Sequence, residues 1–549
     1  MTKISLTATL LATLLALPAS AAELPRLASK DGRHALLVDG KPFLILGAQA
    51  HNSSNYPAAL GPVWAAANDI KANTLLMPVA WEQVEPEEAK FDFSFVDTLV
   101  KQAREQKKRL VLLWFGTWKN TSAQYTPQWV KLDTKRFPAN MDREGKANYS
   151  LSPFGAETLK ADKKAFVALM THLKKIDSTE RTVLMVQVEN EVGTYGLVRD
   201  FAPAAQAAFE QPVPAAVLAR QKPVGATAPA TSGTWREVYG DYADEYFHAW
   251  AIARYIGEIA AAGKAVYDLP MFVNNALRDP LEQPPKPWNK NFASGGPTWD
   301  VMDIYKAAAP AVDIVAPDIY RPESEQVNAN LRLFQRADNA LWIPEIGTKP
   351  AYGRFLYAML GRGAIGVSPF GIDYFDYTNH PLGATATDKT IVVPFERVYR
   401  MFAPIQRLWA QWAFEGRTRG IGEGDDRKPQ QLDFPGWTAK LTYRLGRFGE
   451  PSWGGDFAQP APGTEQPDGG AAMAQIGPDE FILIGHRVRV RMEPEAGTHG
   501  MMLRAEQGRF DAQGRWVMER VWNGDQVDYG LNLPAEPVML KVKMGRPRQ

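Results

Sequence analysis

The strongest constraint on the fold is a regular alternation of short apolar runs and longer amphipathic stretches from residue 44 to about residue 415. The apolar runs predict strands, and the stretches between them have the periodicity of helices. Strands separated by helices pair in parallel, and eight strand-then-helix units predict a closed (β/α)8 barrel, a TIM barrel. The eight strands are predicted at residues 44–47, 74–79, 110–115, 183–188, 271–273, 314–316, 341–343 and 365–367.

The pattern changes after residue 415. Gly and Pro are dense in residues 452–470, and the alternating runs at residues 481–484 and 488–491 predict antiparallel strands. The chain is therefore predicted to be an α/β protein with a barrel over residues 22–415 and an antiparallel β-sandwich over residues 416–549.

The first residues predict a secretory signal peptide, residues 1–21. Lys3 precedes an apolar run over residues 4–17, and residues 18–21 (PASA) have the small-residue pattern of a cleavage site. A membrane anchor is the alternative, but the run is shorter than the roughly 20 residues that a span needs. The mature protein is thus expected to be periplasmic or secreted. Because the chain has 0 Cys, disulfides and thiolate chemistry are excluded.

Charge and motifs narrow the class of ligand. The chain has 62 Lys and Arg against 61 Asp and Glu, which gives no electrostatic reason to expect nucleic acid or an anionic membrane. Arg487, Arg489 and Arg491 are interpreted as a solvated strand face beside nearby Glu residues. A G-x-G-x-x-G match at residues 361–366 precedes a strand, so it cannot place a phosphate on a helix N-terminus. We expect a neutral ligand, no metal and no cofactor.

Two carboxylates stand at the carboxyl ends of predicted barrel strands. The fourth strand ends in residues 187–193 (QVENEVG) and the seventh in residues 342–347 (WIPEIG), and these strands face each other across an eight-stranded barrel. Two carboxyl groups about 5–5.5 Å apart hydrolyse a glycosidic bond with net retention. Glu191 is then the proton donor, its pKa raised by the negative neighbour, and Glu345 the nucleophile. The alternative is that each Glu caps the helix that follows it.

Residues 187–193 also resemble the acid/base motif of glycoside hydrolase family 35, the β-galactosidases, and residues 81–87 (WEQVEPE) with 91–93 (FDF) resemble its second-strand motif. The resemblance covers the first two thirds of the chain. It implies that Glu191 is the acid/base, that Glu345 is the nucleophile, that Asn190 contacts the sugar 2-hydroxyl and that Tyr320 hydrogen-bonds the nucleophile. It also points to a bacterial subgroup with a short C-terminal β-domain, some members of which remove galactose from xyloglucan.

The chain departs from the family pattern at two strand ends, residues 47–52 (GAQAHN) and 113–120 (LWFGTWKN), so contacts there are not transferred. Candidate substrate contacts come instead from residue type. Aromatic rings near strand ends can stack on a sugar, with core packing as the alternative for each. These aromatic residues are Trp81, Trp114, Trp118 and Tyr374. Glu82 and Asn120 are candidates for hydroxyl contacts or for structural roles, whereas His51 is favoured as a loop residue.

Two segments rich in Pro, Ala and Gly, residues 203–233 and 279–297, follow the fourth and fifth strands. They either shape a substrate cleft or are plain surface insertions.

Together these observations predict a retaining exo-β-galactosidase acting on a neutral oligosaccharide with terminal β-galactose. Nucleic acid is not an expected partner, and no membrane association is expected after signal removal. The oligomeric state stays open, with a homodimer among the options. Two other functions remain open: a secreted carbohydrate-binding protein on a glycosidase scaffold, and a retaining glycosidase of another specificity, such as a β-glucosidase or β-mannosidase. Contacts to the sugar 4-hydroxyl would separate these glycones.

Overall fold

The structure is a computed structural model that describes residues 23–275, 278–443, 465–496 and 498–547. The predicted signal peptide and residues 452–464 of the Gly- and Pro-rich stretch lie outside the described residues. Within the described residues, no helix has both the length and the apolar character that a membrane crossing requires.

The barrel prediction is confirmed. Eight parallel strands close on themselves in the order β4-β5-β6-β9-β10-β11-β12-β13, and β13 pairs with β4 to complete the ring. A three-stranded antiparallel sheet, β1 to β3, precedes the barrel, and a hairpin of β7 and β8 follows its third strand. The strands of this part are β1 (Arg26–Lys30), β2 (Arg33–Val38), β3 (Lys41–Phe43), β4 (Ile45–Gln49), β5 (Thr74–Ala80), β6 (Arg109–Lys119), β7 (Ala139–Met141), β8 (Ala147–Leu151), β9 (Val183–Asn190), β10 (Met271–Asn275), β11 (Ile314–Ile319), β12 (Trp342–Ile346) and β13 (Gly366–Pro369).

Helices surround the barrel. Each of the longer ones buries an apolar stripe, as α3 does through Phe95, Leu99 and Ala103, whose spacing places them on one face. The helices are α1 (Leu60–Asp69), α2 (Trp81–Val84), α3 (Ser94–Glu105), α4 (Gln128–Leu132), α5 (Ala156–Asp177), α6 (Pro203–Phe209), α7 (Ala215–Leu218), α8 (Trp235–Tyr239), α9 (Ala243–Val266), α10 (Met302–Ala308), α11 (Ser324–Phe334), α12 (Phe355–Gly361), α13 (Val393–Phe402) and α14 (Gln406–Phe414).

The barrel strands are buried on both faces, which explains their continuous apolar sequences. Every residue of β5 and of β9 is buried. Polar residues interrupt this core mainly at the carboxyl ends of the strands, where Gln49, Asn190, Asp318 and Glu345 are all buried. This end of a parallel barrel is where barrel enzymes keep their active sites.

The C-terminal part is built of two antiparallel sheets, as predicted. A six-stranded sheet has the order β14-β17-β18-β23-β20-β21, and a four-stranded sheet has the order β15-β16-β19-β22. Apolar side chains of both sheets, among them Trp437 and Phe481, form one shared core. The strands are β14 (Thr418–Gly422), β15 (Gln430–Phe434), β16 (Trp437–Thr442), β17 (Gly470–Gly477), β18 (Glu480–His486), β19 (Arg489–Pro494), β20 (Met501–Phe510), β21 (Trp516–Trp522), β22 (Leu531–Asn532) and β23 (Val538–Gly545).

The six-stranded sheet packs directly on the barrel helix α12. Two glycines make this approach possible, because a Cβ atom on Gly361 would lie 2.1 Å from the backbone nitrogen of Gly420. Nearby, the hydroxyl of Tyr357 and Nδ1 of His486 are hydrogen-bonded at 2.7 Å. The sheets are therefore held against the barrel by close backbone packing and by a buried polar contact.

Candidate active site

The end of barrel strand β9 carries two glutamates that point to different places. In an extended strand, residues two apart share a face, but Glu189 and Glu191 have left-handed backbones with φ of 64° and 42°. This conformation breaks the alternation. The backbone N–H of Glu191 donates to Oδ1 of Asn274 on β10 at 3.1 Å, which fixes the turn.

Glu189 belongs to a buried structural pair behind the barrel wall. Its Oε2 accepts the backbone N–H of Trp118 at 2.7 Å, and its carboxyl group shares a hydrogen bond with Asp162 of α5. Asp162 in turn accepts the indole N–H of Trp114 and the N–H and hydroxyl of Thr117. Burial and the charge of Asp162 raise the pKa of Glu189 well above its usual range.

Glu191 lies instead in the barrel mouth. Its carboxyl group and those of Asp318 on β11 and Glu345 on β12 have oxygens within 4.8 Å of one another. Asp318 and Glu345 are buried, and Glu191 is partly exposed. The two predicted carboxylates are thus brought together, and Asp318 is a third that the sequence analysis missed.

Glu345 is oriented through both of its carboxylate oxygens. The hydroxyl of Tyr320 donates to Oε1, and the side-chain amide of Gln49 donates to Oε2 at 2.9 Å. The resemblance implied the first contact, whereas Gln49 on β4 was not foreseen. Burial and the charge of Glu345 raise the pKa of Tyr320 well above its usual range, so its hydroxyl keeps its proton and remains a donor.

The electrostatics of the mouth favour a protonated Glu191. Burial and the nearby charge of Glu345 raise the pKa of Glu191 to about 7, although Lys119 and a hydrogen bond from Asp318 act in the opposite direction. Lys119 ends strand β6, is 6% exposed and lies over the ring of Phe115. With a pKa near 7, Glu191 can both hold and release a proton at neutral pH, and it lies next to an oriented carboxyl group, the pairing that acid-assisted displacement needs.

Asn190 is free to contact a ligand in the described structure. It is 1% exposed, and neither its Oδ1 nor its Nδ2 has a hydrogen-bond partner among the described residues. Asn120, another predicted contact, is exposed and accepts a hydrogen bond from the Lys119 ammonium. The N–H of Asn120 donates to the carbonyl of Asn190 at 3.2 Å. Because Asn190 directly precedes Glu191, the backbones of both asparagines lie beside that of the glutamate.

The predicted stacking tryptophans are buried. Trp118 is 1% exposed, its indole N–H donates to the carbonyl of Leu151 at 3.1 Å, and its ring packs against Tyr255. Trp81 and Trp114 are 0% exposed. Their rings pack in the core and present no face to a sugar. Core packing was the alternative to sugar stacking for each of these residues.

The remaining predicted contacts, Glu82 and Tyr374, are engaged by other charged groups. Glu82 forms an ion pair of 3.0 Å with Lys131 and lines a surface groove with Tyr56. The hydroxyl of Tyr374 donates to Asp69 of helix α1 at 2.8 Å, so this residue is tied to the outer layer of the barrel.

His51 is held by an acidic partner on the loop after β13. Its Nδ1 lies 2.8 Å from Oδ1 of Asp373, and Oδ2 of Asp373 accepts the hydroxyl of Ser54 at 2.6 Å. Burial alone would raise the pKa of Asp373, but the hydrogen bonds from His51 and Ser54 outweigh it and hold the pKa below its usual range. The Nε2 atom of His51 has no partner among the residues that the structure describes.

Some of the missed residues left a signal in the sequence. Asp318 stands two positions before Tyr320, which ends the predicted sixth strand, so strand alternation already predicted both on one face. Gln49 and Lys119 left no signal in the sequence, because polar residues are common at strand ends that have no function.

Two parts of the chain match known protein families. Residues 68–267 match the model of glycoside hydrolase family 42, described as "Beta-galactosidase". Residues 395–534 match a family described as a domain of unknown function. The motif resemblance pointed to family 35, which this comparison does not support. No protein with a curated description matches the chain.

Several solved structures are similar. A β-galactosidase from the psychrophilic Marinomonas ef1 aligns with a TM-score of 0.45 and 11% identity, over 66% of this chain and 60% of that one. A β-galactosidase from the haloarchaeon Halorubrum lacusprofundi aligns with a TM-score of 0.47 and 15% identity, over 66% and 58%. Endo-glycoceramidase II from Rhodococcus sp. aligns with a TM-score of 0.40 and 12% identity, over 94% and 99%. The alignment thus spans about three fifths of the two β-galactosidases.

A closed parallel barrel with carboxyl groups facing each other in its mouth is an arrangement that glycoside hydrolases use. In this chain, residues 68–267, which include Glu191 and strand β9, are similar to β-galactosidases.

Proposed function

We propose that this protein is a retaining, exo-acting β-galactosidase. The observation that carries the proposal is the placement of Glu191 and Glu345, from strands β9 and β12, with carboxyl oxygens within 4.8 Å in a buried barrel mouth. Retaining glycosidases have carboxyl groups about 5–5.5 Å apart, whereas inverting ones leave about 6.5–9.5 Å for a water molecule. Carboxyl groups whose oxygens come within 4.8 Å leave little room for a water molecule between them, which supports double displacement.

In the first step, Glu345 attacks the anomeric carbon while Glu191 gives its proton to the glycosidic oxygen, so the aglycone leaves with that proton. In the second step, the ionised Glu191 takes a proton from water, and the resulting nucleophile breaks the bond between the sugar and Glu345. Gln49 and Tyr320 hold Glu345 in position for attack, and Asn190 has free polar atoms beside the acid for a sugar hydroxyl.

Galactose as the glycone is supported by the family match over residues 68–267. The narrower parts of the proposal, membership of family 35 and removal of galactose from xyloglucan side chains, rest on the motif resemblance in residues 81–93 and 187–193. Export to the periplasm or beyond rests on the signal-like sequence of residues 1–21.

The test is galactose release by the purified mature protein from a chromogenic β-galactoside and from galactosylated xyloglucan oligosaccharides. Proton NMR of the first product formed distinguishes retention, seen as β-galactose, from inversion. Glu191→Ala and Glu345→Ala should each lose activity by orders of magnitude. Glu189→Gln, which changes a buried glutamate two positions from the acid, is the matched control and should stay active.

Azide assigns the two roles separately. With a substrate that carries a good leaving group, azide should restore turnover in Glu191→Ala and give the β-galactosyl azide. In Glu345→Ala it should give the α-galactosyl azide, because it replaces the missing nucleophile in a single displacement. Activity on the chromogenic substrate alone would remove xyloglucan from the proposal. Binding of galactosides without hydrolysis by the folded parent would overturn the enzyme assignment.

A further inference from the structure

Asp318 is a buried carboxyl group to which the double displacement gives no role. It is 0% exposed and lies within 4.8 Å of both Glu191 and Glu345. Three carboxyl groups gathered so closely cannot all be ionised at neutral pH, because like charges at this distance oppose one another strongly in a site of low dielectric constant.

The hydrogen bonds of Asp318 leave one oxygen for Glu191. Its Oδ2 accepts the side-chain N–H of Asn274 at 2.7 Å, while its Oδ1 has no N–H or O–H donor among the described residues. The carboxyl group of Glu191 has an oxygen within 4.8 Å of one of Asp318, and hydrogen bonding between the two side chains raises the pKa of Asp318 and lowers that of Glu191. Two carboxyl groups can share a hydrogen bond only if one of them carries a proton.

Asn274 fixes this contact from both sides. Its Nδ2 donates to Asp318, and its Oδ1 accepts the backbone N–H of Glu191 at 3.1 Å. The side-chain amide of Asn274 on β10 thus joins the side chain of Asp318 on β11 to the backbone of Glu191, just beyond β9. Such a connection fixes the position of Asp318 relative to Glu191 without any contribution from a ligand.

The surroundings of the two carboxyl groups indicate which of them holds its proton more tightly. Glu345, Glu191 and Lys119 act on Asp318, whose pKa is raised well above its usual range by burial and by the two glutamates. Glu191 is partly exposed and has Glu345, Lys119 and Asp318 as neighbours, with Tyr195 and Tyr320 nearby. Because Asp318 is fully buried and Glu191 is partly exposed, burial opposes a negative charge on Asp318 more strongly, so Asp318 holds its proton more tightly.

We propose that Asp318 is a positioning residue that keeps its own proton and donates a hydrogen bond to Glu191 throughout turnover. The inference rests on the proposed function of Glu191 as acid and base. When Glu191 gives its proton to the leaving group, the O–H of Asp318 stabilises the carboxylate that remains. When Glu191 then takes a proton from water, the Asp318 proton stays where it was, so no proton is gained or lost at Asp318 over the cycle.

The test compares the pH dependence of kcat/KM for the parent, Asp318→Leu and Asp318→Asn. Leucine removes the hydrogen-bond donor to Glu191 and keeps water out of the site. Glu191 then becomes a weaker acid, and the basic limb of the kcat/KM profile moves to a pH about one unit higher. Asparagine can still donate to Glu191 and accept from Asn274, so its basic limb should stay within about 0.3 pH unit of the parent. If Asp318 were ionised, both substitutions would remove a negative charge and move the limb down, which would overturn the proposal.

The leaving group provides a second readout that a merely structural role would not move. Asp318→Leu should lose about tenfold more kcat on an unactivated galactosyl oligosaccharide than on a nitrophenyl galactoside, because only the first needs strong acid assistance. Equal losses on both substrates would overturn the role. Glu189→Gln, which changes the other buried carboxyl pair, is the control and should show neither effect.

A measurement without substrate separates this inference from the proposed function. The infrared difference spectrum between the parent and Asp318→Asn at pH 7 should show loss of the C=O band of a protonated carboxylic acid. Loss of carboxylate bands instead would overturn the inference whether or not the protein hydrolyses galactosides. An inactive parent that shows the acid band would overturn the proposed function and keep the protonated Asp318.

Discussion

The side-chain amide of Gln49 reaches past one barrel strand and donates a hydrogen bond of 2.9 Å to Oε2 of Glu345. Gln49 ends β4 and Glu345 lies on β12, so the contact joins strands that are separated by β13 in the ring. With Tyr320 donating to the other oxygen, the carboxylate has one fixed orientation. A nucleophile held in this way loses little freedom on reaching the attacking geometry.

Gln49→Ala should therefore lower kcat by about 10- to 100-fold, because a small misplacement of a reacting group is costly in rate. KM should change little, since the amide contacts the nucleophile and not the substrate. Steady-state kinetics on a chromogenic β-galactoside checks this, with Gln102→Ala on the outer helix α3 as the control. An unchanged kcat in Gln49→Ala would show that Tyr320 alone orients Glu345.

Lys119→Met should move the basic limb of the pH profile to higher pH. The lysine charge lowers the pKa of Glu191, which burial and Glu345 hold at about 7. Its removal makes Glu191 a weaker acid that stays protonated to higher pH. The measurement is kcat/KM against pH. Lys119→Arg, which keeps the charge, should leave the limb near pH 7, and a downward shift in Lys119→Met would contradict the argument.

Glu191→Gln should make the fold more stable at neutral pH and not at acidic pH. The folded pKa of about 7 is above the unfolded value near 4.5, so between these values the native state binds more protons and loses stability as the pH rises. An amide removes this penalty, which is on the order of 2–3 kcal/mol at pH 7. Thermal unfolding of parent and variant at pH 4 and pH 7 checks it. A gain of the same size at both pH values would point to a packing effect.

The eight barrel strands could be predicted because burial on both faces makes each strand a continuous apolar run, as β5 and β9 show. The paired glutamates could be predicted for the same reason, since a carboxylate inside an apolar run stands out. The sequence did not show that β6 continues to Lys119, four residues beyond the predicted end. Only this extension pairs Lys119 with Asn190 and brings its charge near Glu191.

Side-chain direction at the strand ends was beyond sequence reasoning. Glu189 and Glu191 alternate as if they shared a face, and only their left-handed backbones separate them. Trp118 could equally line the mouth or pack behind it, because in a barrel both sides of a strand are apolar until the strand ends. The small sheet of β1 to β3 and the hairpin of β7 and β8 were also not predicted.

Close packing between the barrel and the C-terminal sheets gives a prediction that is independent of chemistry. A Cβ atom on Gly420 would lie 2.0 Å from the carbonyl oxygen of Tyr357, a backbone atom that cannot move without shifting α12. Gly420→Ala should therefore destabilise the protein by about 1–3 kcal/mol or more. Gly61→Ala on α1 is the matched control: no atom lies within 4 Å of its added Cβ, and alanine favours the helix. Thermal unfolding should show a lower Tm for Gly420→Ala and an equal or higher one for Gly61→Ala. An unchanged Tm in Gly420→Ala would mean that β14 can separate from α12 at no cost.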